Sequence, residues 1–468
     1  MIANFTVRAN NMKEVLREQM LVSTSHGLPN AIRNPHLPMK TMWSISFILS
    51  TALCSYLIIQ SILQYLEFDV ITNVRIVGET EAEFPRITIC NINRYQTEYA
   101  LDIYEKNKNL TPFELDKMFI LLSNEDKKRL SYSINETLIK CQFSLISCDW
   151  KDFDWIYNIY IGPCFVFNSG RNYLGETVPI KKLKQAGRFA GLQLEMFVDL
   201  PKPLKKIGPG FTGAILVLGN NSFRNVYEDE QEILVSPGAL TYIAVQRTIV
   251  NQMEKPYSEC SMSSDSILYQ RILDLNASYT RADCISLCRQ LGIERECKCY
   301  DYFHPSIRSN KICNSTWEID CSKKQQEIFE KNELILTCNE MCPFECKKVI
   351  FSTIHSQINE FSNEKAQEYF EHKLLNSKYE QFNSSLADVK QSIINLNVFY
   401  DRMSFTDITE KPSFSFVDLV SNVGGTFGLF IGISLLSILE MVEIIYEMLL
   451  ICFKNKEKPF FSKKADTI

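Results

Sequence analysis

The chain has 468 residues, 16 of them cysteine, and a formal net charge of −5. A mildly acidic exterior with no basic patch excludes nucleic acid as a partner. No nucleophile motif and no set of metal or cofactor ligands stands out, which sets enzymes, metal sites and cofactor chemistry aside.

Residues 1–42 form a polar segment, expected in the cytosol. Within it Ser25-His26-Gly27 precedes Leu28-Pro29, and a lone histidine beside glycine reads as a turn. Residues 41–66 carry no charge, a run long enough to cross an apolar core of about 30 Å. The run follows a long polar segment and lacks a small-residue cleavage site, so a retained transmembrane helix is expected over 43–66. Arg33 and Lys40 precede it, while Glu67 and Asp69 follow it.

Residues 67–412 are expected outside the cell, enough chain for a full core and several subdomains. Apolar residues alternate through Val70, Val74 and Ile76, a strand over 68–77 leaving the membrane. A β-rich run follows from Phe84-Pro85 to Asn91, with proline fixing its start. Residues 113–130 read as helical and charged, and Cys141 with Cys148 would close a small loop. Strands are predicted over 164–170, 191–198, 214–219 and, after the turn Ser236-Pro237-Gly238, over 240–250. This half reads as a β-sheet body with inserted loops.

The stretch 260–346 differs. Cys284 and Cys288 are four apart, as are Cys338, Cys342 and Cys346, which on helices puts each set on one face. Two antiparallel helices would pair Cys284 with Cys342 and Cys288 with Cys338. Cys297 and Cys299, two apart, would share one side of a strand. Nesting then favours Cys297 with Cys321 and Cys299 with Cys313, leaving Cys260 for Cys346. A zinc site competes, but no C-x-x-C pair occurs and the compartment is oxidising. Of the 16 cysteines only Cys54 and Cys452 fall in or beside the apolar runs, and the remainder read as seven disulfides. Glycosylation sequons occur in the same outer region at Asn109, Asn135, Asn220, Asn276, Asn314 and Asn383. Residues 353–392 are predicted as a charged, solvent-facing helix, before a strand over 393–399 that returns towards the membrane.

Residues 419–439 again carry no charge, and a second transmembrane helix is expected over 413–446, with 447–468 as a cytosolic tail. Asp418 precedes the run, and Lys454, Lys456, Lys458, Lys463 and Lys464 follow it. By the positive-inside bias both termini are cytosolic. Gly424, Gly428 and Gly432 are spaced by four, with Gly425 beside the first, a pattern that lets helices approach closely. Gly432-Ile433-Ser434 lies deep in this run. Unpaired backbone in lipid costs several kcal/mol, so the tripeptide serves one of two ends. It allows tight packing, or, repeated around an axis, it makes a ring of carbonyls and hydroxyls that strips water from small cations. Glu440, Glu443 and Glu447 follow at i, i+3 and i+7, one helical face that would concentrate cations. Two spans cannot enclose a pore within one chain, so a channel would oligomerise about an axis.

Taken in order, these stretches resemble the degenerin / epithelial sodium channel / acid-sensing channel family. The matching pieces begin with His26-Gly27, the run from Phe84-Pro85 to Ile89-Cys90-Asn91, and Cys164 through Asn168-Ser169-Gly170. Ser236-Pro237-Gly238, the cysteine array, and the run from Gly424-Gly425 through Ser434 to Glu440 complete them. The resemblance implies an α+β membrane protein in which two transmembrane helices flank a large disulfide-rich ectodomain, a β-sheet body with a helical, disulfide-laddered subdomain. It implies a homo- or heterotrimer in the lipid bilayer of the plasma membrane that passes sodium ions in preference to potassium and is blocked by amiloride. Gly432-Ile433-Ser434 would be the selectivity filter, with isoleucine where the family usually has a small residue. Ser421 would lie at the outer pore with Asp418, Gly424 and Gly425, and His26-Gly27 at the inner mouth with Glu440 and Glu443. The resemblance also adds the disulfides Cys90–Cys164 and Cys141–Cys148.

The residues do not choose the stimulus. Acid-sensing relatives carry histidine just outside the first span, where this chain has Leu66-Glu67-Phe68-Asp69, and its outer region holds only His304, His355 and His372. An extracellular peptide ligand, protons on clustered carboxylates, mechanical force and constitutive opening all stand as readings. An ATP-gated trimeric channel would share two spans and a cysteine-rich exterior, but calls for clustered outer lysines and lacks the glycine-serine run. A non-conducting two-span receptor leaves the glycines and acidic face of the second run unexplained. Motion of the laddered region against the sheet body is expected to reach both spans through the strands at residues 67 and 412.

Overall fold

The computed structural model describes residues 21, 27–110, 112–158, 161–198, 211–220, 232–261, 267–274, 279–301, 311–331, 334–358, 362–369, 371, 390–432, 434, 437, 439, 442 and 445–446. It divides into two compact units, Met1–Ile71 with Lys411–Ile468, and Thr72–Glu410. In chain order come α1 (Leu28–Arg33), α2 (Leu37–Leu66), β1 (Val70–Gly78), β2 (Ala82–Glu83) and β3 (Arg86–Asn91). Four short helices follow: α3 (Glu98–Lys106), α4 (Pro112–Ile120), α5 (Asn124–Lys128) and α6 (Ile134–Thr137). The strands β4 (Leu138–Phe143), β5 (Ile146–Ser147), β6 (Phe153–Asn158), β7 (Gly162–Phe167), β8 (Lys182–Leu183) and β9 (Leu192–Phe197) come next. They lead to β10 (Ala214–Gly219), β11 (Glu232–Val235), β12 (Leu240–Asn251) and β13 (Cys260–Ser261). Then come α7 (Ile267–Asp274), α8 (Arg281–Cys297), α9 (Thr316–Lys331), α10 (Leu334–Met341) and β14 (Phe344–Glu345). The chain continues through β15 (Lys347–Ile358), α11 (Asn363–Glu368), β16 (Ile393–Pro412) and α12 (Phe416–Phe430).

In the first unit, α2 is long and apolar enough to cross a membrane, its 30 residues opening with Pro38 in the first turn. Four of its hydroxyls are satisfied within the helix. Ser44, Thr51, Ser55 and Ser61 each donate to the carbonyl four residues back, which satisfies them without a partner outside the helix. The second apolar run differs from expectation. Rather than one continuous helix over 413–446, α12 spans 15 residues and ends at Phe430. The cause is local: Gly432 adopts φ +76°, a conformation that stops a helix and costs glycine little.

In the second unit, one sheet runs β15-β12-β16-β9-β4-β5, with β1 also paired to β16, and another runs β11-β10-β3-β7-β6. Ile87, Ile89 and Phe167 from the second sheet and Leu192, Ile243, Val245, Leu396 and Val398 from the first share one buried cluster. The sheets therefore pack face to face, and the rings of Phe84, Phe143 and Phe167 meet edge-on or tilted between them. Gly238, in the expected turn before β12, has φ +73°, and a Cβ there would come within 2.3 Å of the Lys390 carbonyl.

Helices α7 to α10 make a second, smaller core from Leu268, Ile272, Leu287, Phe329 and two disulfides, Cys284–Cys342 and Cys288–Cys338. The remaining bonds are Cys90–Cys164, Cys141–Cys148, Cys260–Cys346, Cys297–Cys321 and Cys299–Cys313. Cys297 and Cys299 are not on a strand as expected. Cys297 ends α8, and Lys298 at φ 59° turns the chain left-handed so that Cys299 leaves in a new direction. The helix expected over 353–392 is also corrected. Residues 353–358 continue β15, whose isoleucine and threonine suit a pleated strand paired to β12, while α11 covers six residues. The helix predicted over 113–130 is interrupted at Ser123, whose hydroxyl caps α5 by accepting from the Asp126 amide at 3.1 Å.

Candidate functional site

The break in the second apolar run is capped on both sides. Above it, α12 begins at Ser415, whose hydroxyl accepts from the Asp418 amide at 3.2 Å while the Asp418 carboxylate accepts from the Ser415 amide at 2.9 Å. This capping box fixes Asp418 to the helix start. Ser421 is exposed, and a Cβ added to Gly424, Gly425 or Gly428 would meet nothing within 4 Å. At the lower end Ile431 and Gly432 both donate to the Phe427 carbonyl, at 3.1 and 3.0 Å. The Phe430 carbonyl accepts from Ser50 on α2 at 3.1 Å, so the first apolar helix satisfies a carbonyl that the end of α12 leaves open.

Below Gly432 the polarity reverses. Ser434 donates its amide to the Ser437 hydroxyl at 3.1 Å, and Ser437 donates its amide to the Ser434 hydroxyl at 3.3 Å. The two hydroxyls lie 3.2 Å apart. This is a reciprocal cap in which serine does what glutamate usually does at the third helical position, and helical residues resume at Ser437 and Leu439. Ser434 is exposed and Ser437 is buried. The structure thus brings Gly432 and Ser434 together as a non-helical step between two capped helix ends. Such a step can present main-chain carbonyls and a hydroxyl to an ion. Ile433, Glu440, Glu443 and His26 lie outside the described residues.

Gly27 starts α1 with φ +90° and accepts from the Ala31 amide at 2.9 Å, and its Cα side faces Phe47 and Trp43 of α2. Where α2 passes into β1, Phe68 is left-handed at φ 52°. Tyr65 meets the ring of Phe68 at 5.8 Å and that of Phe416 at 6.4 Å, and Ser413 donates its amide to the Asp69 carbonyl at 2.8 Å. Sequence reasoning passed over Ser50, Tyr65, Phe416 and Ser437, because a serine or aromatic in an apolar run carries no pattern of its own.

In the second unit β1 is tied to its neighbours by charge. Arg75 meets Asp407 at 2.7 Å, Asn251 and Thr409 donate to the same carboxylate, and Arg247 pairs with Glu79. The hydrogen bond from Arg75, then that from Thr409, holds the Asp407 carboxyl below its ordinary range. Burial pushes Asp154 the other way. The sequons at Asn109, Asn135, Asn220 and Asn314 are exposed, and those at Asn276 and Asn383 lie outside the described residues.

A family profile described as amiloride-sensitive sodium channel matches residues 21–444, from before Gly27 to beyond the helix break. The chain belongs to that family. Among its relatives, the bile acid-sensitive ion channel of Homo sapiens is 25% identical over 91% of this chain and 84% of its own length. The acid-sensing ion channel 4-B of Danio rerio is 26% identical over 94% of this chain and 77% of its own. The epithelial sodium channel subunit gamma-2 of Xenopus laevis is 27% identical over 69% of this chain and 47% of its own. As a member of the amiloride-sensitive sodium channel family, the chain is an ion channel subunit of the membrane.

Proposed function

We propose that this chain is a subunit of a trimeric, sodium-selective, amiloride-blocked channel of the plasma membrane. Both termini are cytosolic, and α2 and the broken segment from α12 onward are its two spans. The observation that carries the reading is the break itself: left-handed Gly432 and reciprocally capped Ser434 within an otherwise apolar segment. Irregular backbone is tolerated at membrane depth only against protein or water. Three copies around an axis would supply both, and would turn one step into a ring.

In this reading Gly432, Ile433 and Ser434 strip and pass the ion, Ser421 with Asp418, Gly424 and Gly425 forms the outer gate, and His26-Gly27 with Glu440 and Glu443 lies at the inner mouth. The subunits are three copies of this chain or a mixture with relatives. The outer region, 67–412, receives the stimulus, and β1 and β16 deliver it to the two spans.

Two-electrode voltage clamp on cells expressing the chain tests this. A current that falls when potassium replaces sodium, is blocked by amiloride, and rises in Ser421→Cys after a bulky thiol reagent is expected. Silence at the cell surface, with Ser421 enlarged as well, would leave the chain without a homomeric conducting role.

A further inference from the structure

Helices α8 and α10 lie side by side and are bonded twice, with Cα atoms 5.6 Å apart at Cys284–Cys342 and 5.9 Å apart at Cys288–Cys338. One turn further along α8, where the next side chain of that face would stand, the residue is Gly292. It sits in the interior of a helix of 17 residues, a place where glycine is less favourable than any residue but proline. The backbone does not call for it, since α8 is regular there and the chain turns left-handed only at Lys298.

The missing side chain leaves room. A cavity of about 790 Å³ lies against α8, α9 and α10, with Gly292 in its wall. Pockets of roughly 300–1,000 Å³ hold small organic molecules. Leu291, Met341 and the Cys288–Cys338 bond make its apolar surface, while Gln325 of α9 and Thr337 of α10 bring polar groups. Leu291 and Met341 are only half-buried, so an occupant would take apolar surface out of water. The Met341 thioether is soft and favours contact with aromatic rings.

Charge at the cavity is balanced and already engaged. Glu294 and Glu296 face the same space as Arg295 and Lys298. Arg295 pairs with Glu296 at 2.9 Å, and the Lys298 ammonium donates to the Arg295 carbonyl at 2.7 Å. Glu294 is buried and has a partner within the chain. A charged ligand would leave water with no net opposite charge to receive it.

We propose that this cavity binds a small uncharged aromatic molecule. Its rings lie against Leu291, Met341 and the Cys288–Cys338 bond, and a hydroxyl or carbonyl turns towards Gln325 and Thr337. The site stands apart from the ion path, because its described lining falls wholly within residues 288–341. An occupant wedges between α8 and α10 just beyond the bond that joins them.

The test uses the full-length chain purified in detergent and follows its melting by scanning calorimetry. Three probes share one body and differ in the head: naphthylmethanol, naphthoate and naphthylmethylammonium. Naphthylmethanol is expected to raise the melting temperature of wild type by several degrees, further with each increase in concentration. The two charged probes should need roughly tenfold more for the same rise. Gly292→Leu, which fills the cavity, should lose the response, while Gly292→Ala, which leaves most of the space, keeps it. Because leucine there can also disturb the helix packing, Thr337→Trp blocks the cavity from α10, at an exposed position, and should lose the response as well. A probe that merely enters the detergent would shift every variant alike, and equal shifts in wild type, Gly292→Leu and Thr337→Trp overturn the proposal. So does a wild-type chain indifferent to naphthylmethanol, or one that either charged probe stabilises more.

Discussion

Ser437 shows how one hydroxyl can set the chemistry of another. It holds the amide of Ser434 and offers its own amide to the Ser434 hydroxyl, so the serine of the proposed filter is fixed in direction by a buried neighbour. Losing a hydrogen bond of this kind costs about 1 kcal/mol, roughly fivefold in any equilibrium that depends on it. Ser437→Ala is therefore expected to lower the sodium-to-potassium permeability ratio several-fold at unchanged surface expression, while Ser437→Thr preserves it. Reversal potentials under bi-ionic conditions decide this, and an unchanged ratio in Ser437→Ala would remove Ser437 from the filter's support. The sequence made Gly432 and Ser434 legible, since glycine and serine at membrane depth need a reason. It could not reveal the cap, because Ser437 is one of several serines in the run and only the turn at Gly432 brings it to Ser434.

Among elements, the disulfide ladder was the most legible part. A four-residue spacing encodes a helical face, and nesting leaves few pairings. What failed was the path between the bonds, because a left-handed Lys298 has no signature in composition. Strand β15 was misread as helix for a related reason: the charged stretch beyond residue 359 outweighed its isoleucines, and pairing with β12 is a long-range fact. Removing the bond Cys288–Cys338 by a double change to serine is expected to cost about 2–5 kcal/mol. It should lower the melting temperature of the solubilised chain, read by scanning fluorimetry. A melting curve identical to wild type would show that α8 and α10 hold together without it.

The ties on β1 have a defined pH behaviour. Asp407 is held below its ordinary value of about 3.9, so the stability it contributes is complete above that value and is lost as pH falls through the lower folded one. The link from β1 to β16 is thus expected to survive mild acid and to open only below about pH 4. Glu318, lowered to about 2 chiefly by Lys311 and then by the amides of Ser315 and Asn314, follows the same sign. Asp407→Asn should reduce the melting temperature at neutral pH and flatten its fall below about pH 4. A variant with the wild-type acid profile would clear Asp407 of this role.

For the whole molecule, composition located the two apolar runs, the outer region and the crowded cysteines, and the family assignment agrees with that order.

The hydrogen bond from the Ser413 amide to the Asp69 carbonyl, with Tyr65 set between Phe68 and Phe416, acts on kinematics. It pins the outgoing end of one helix to the incoming end of the other, like a crossbar between two legs. A pull on either passage of chain then loads both, so the pair has one shared freedom of movement where two separate tethers would have had two. Independent tilting of the two helices would have to break this bond, and the three residues 413–415 between β16 and α12 leave little slack to absorb it.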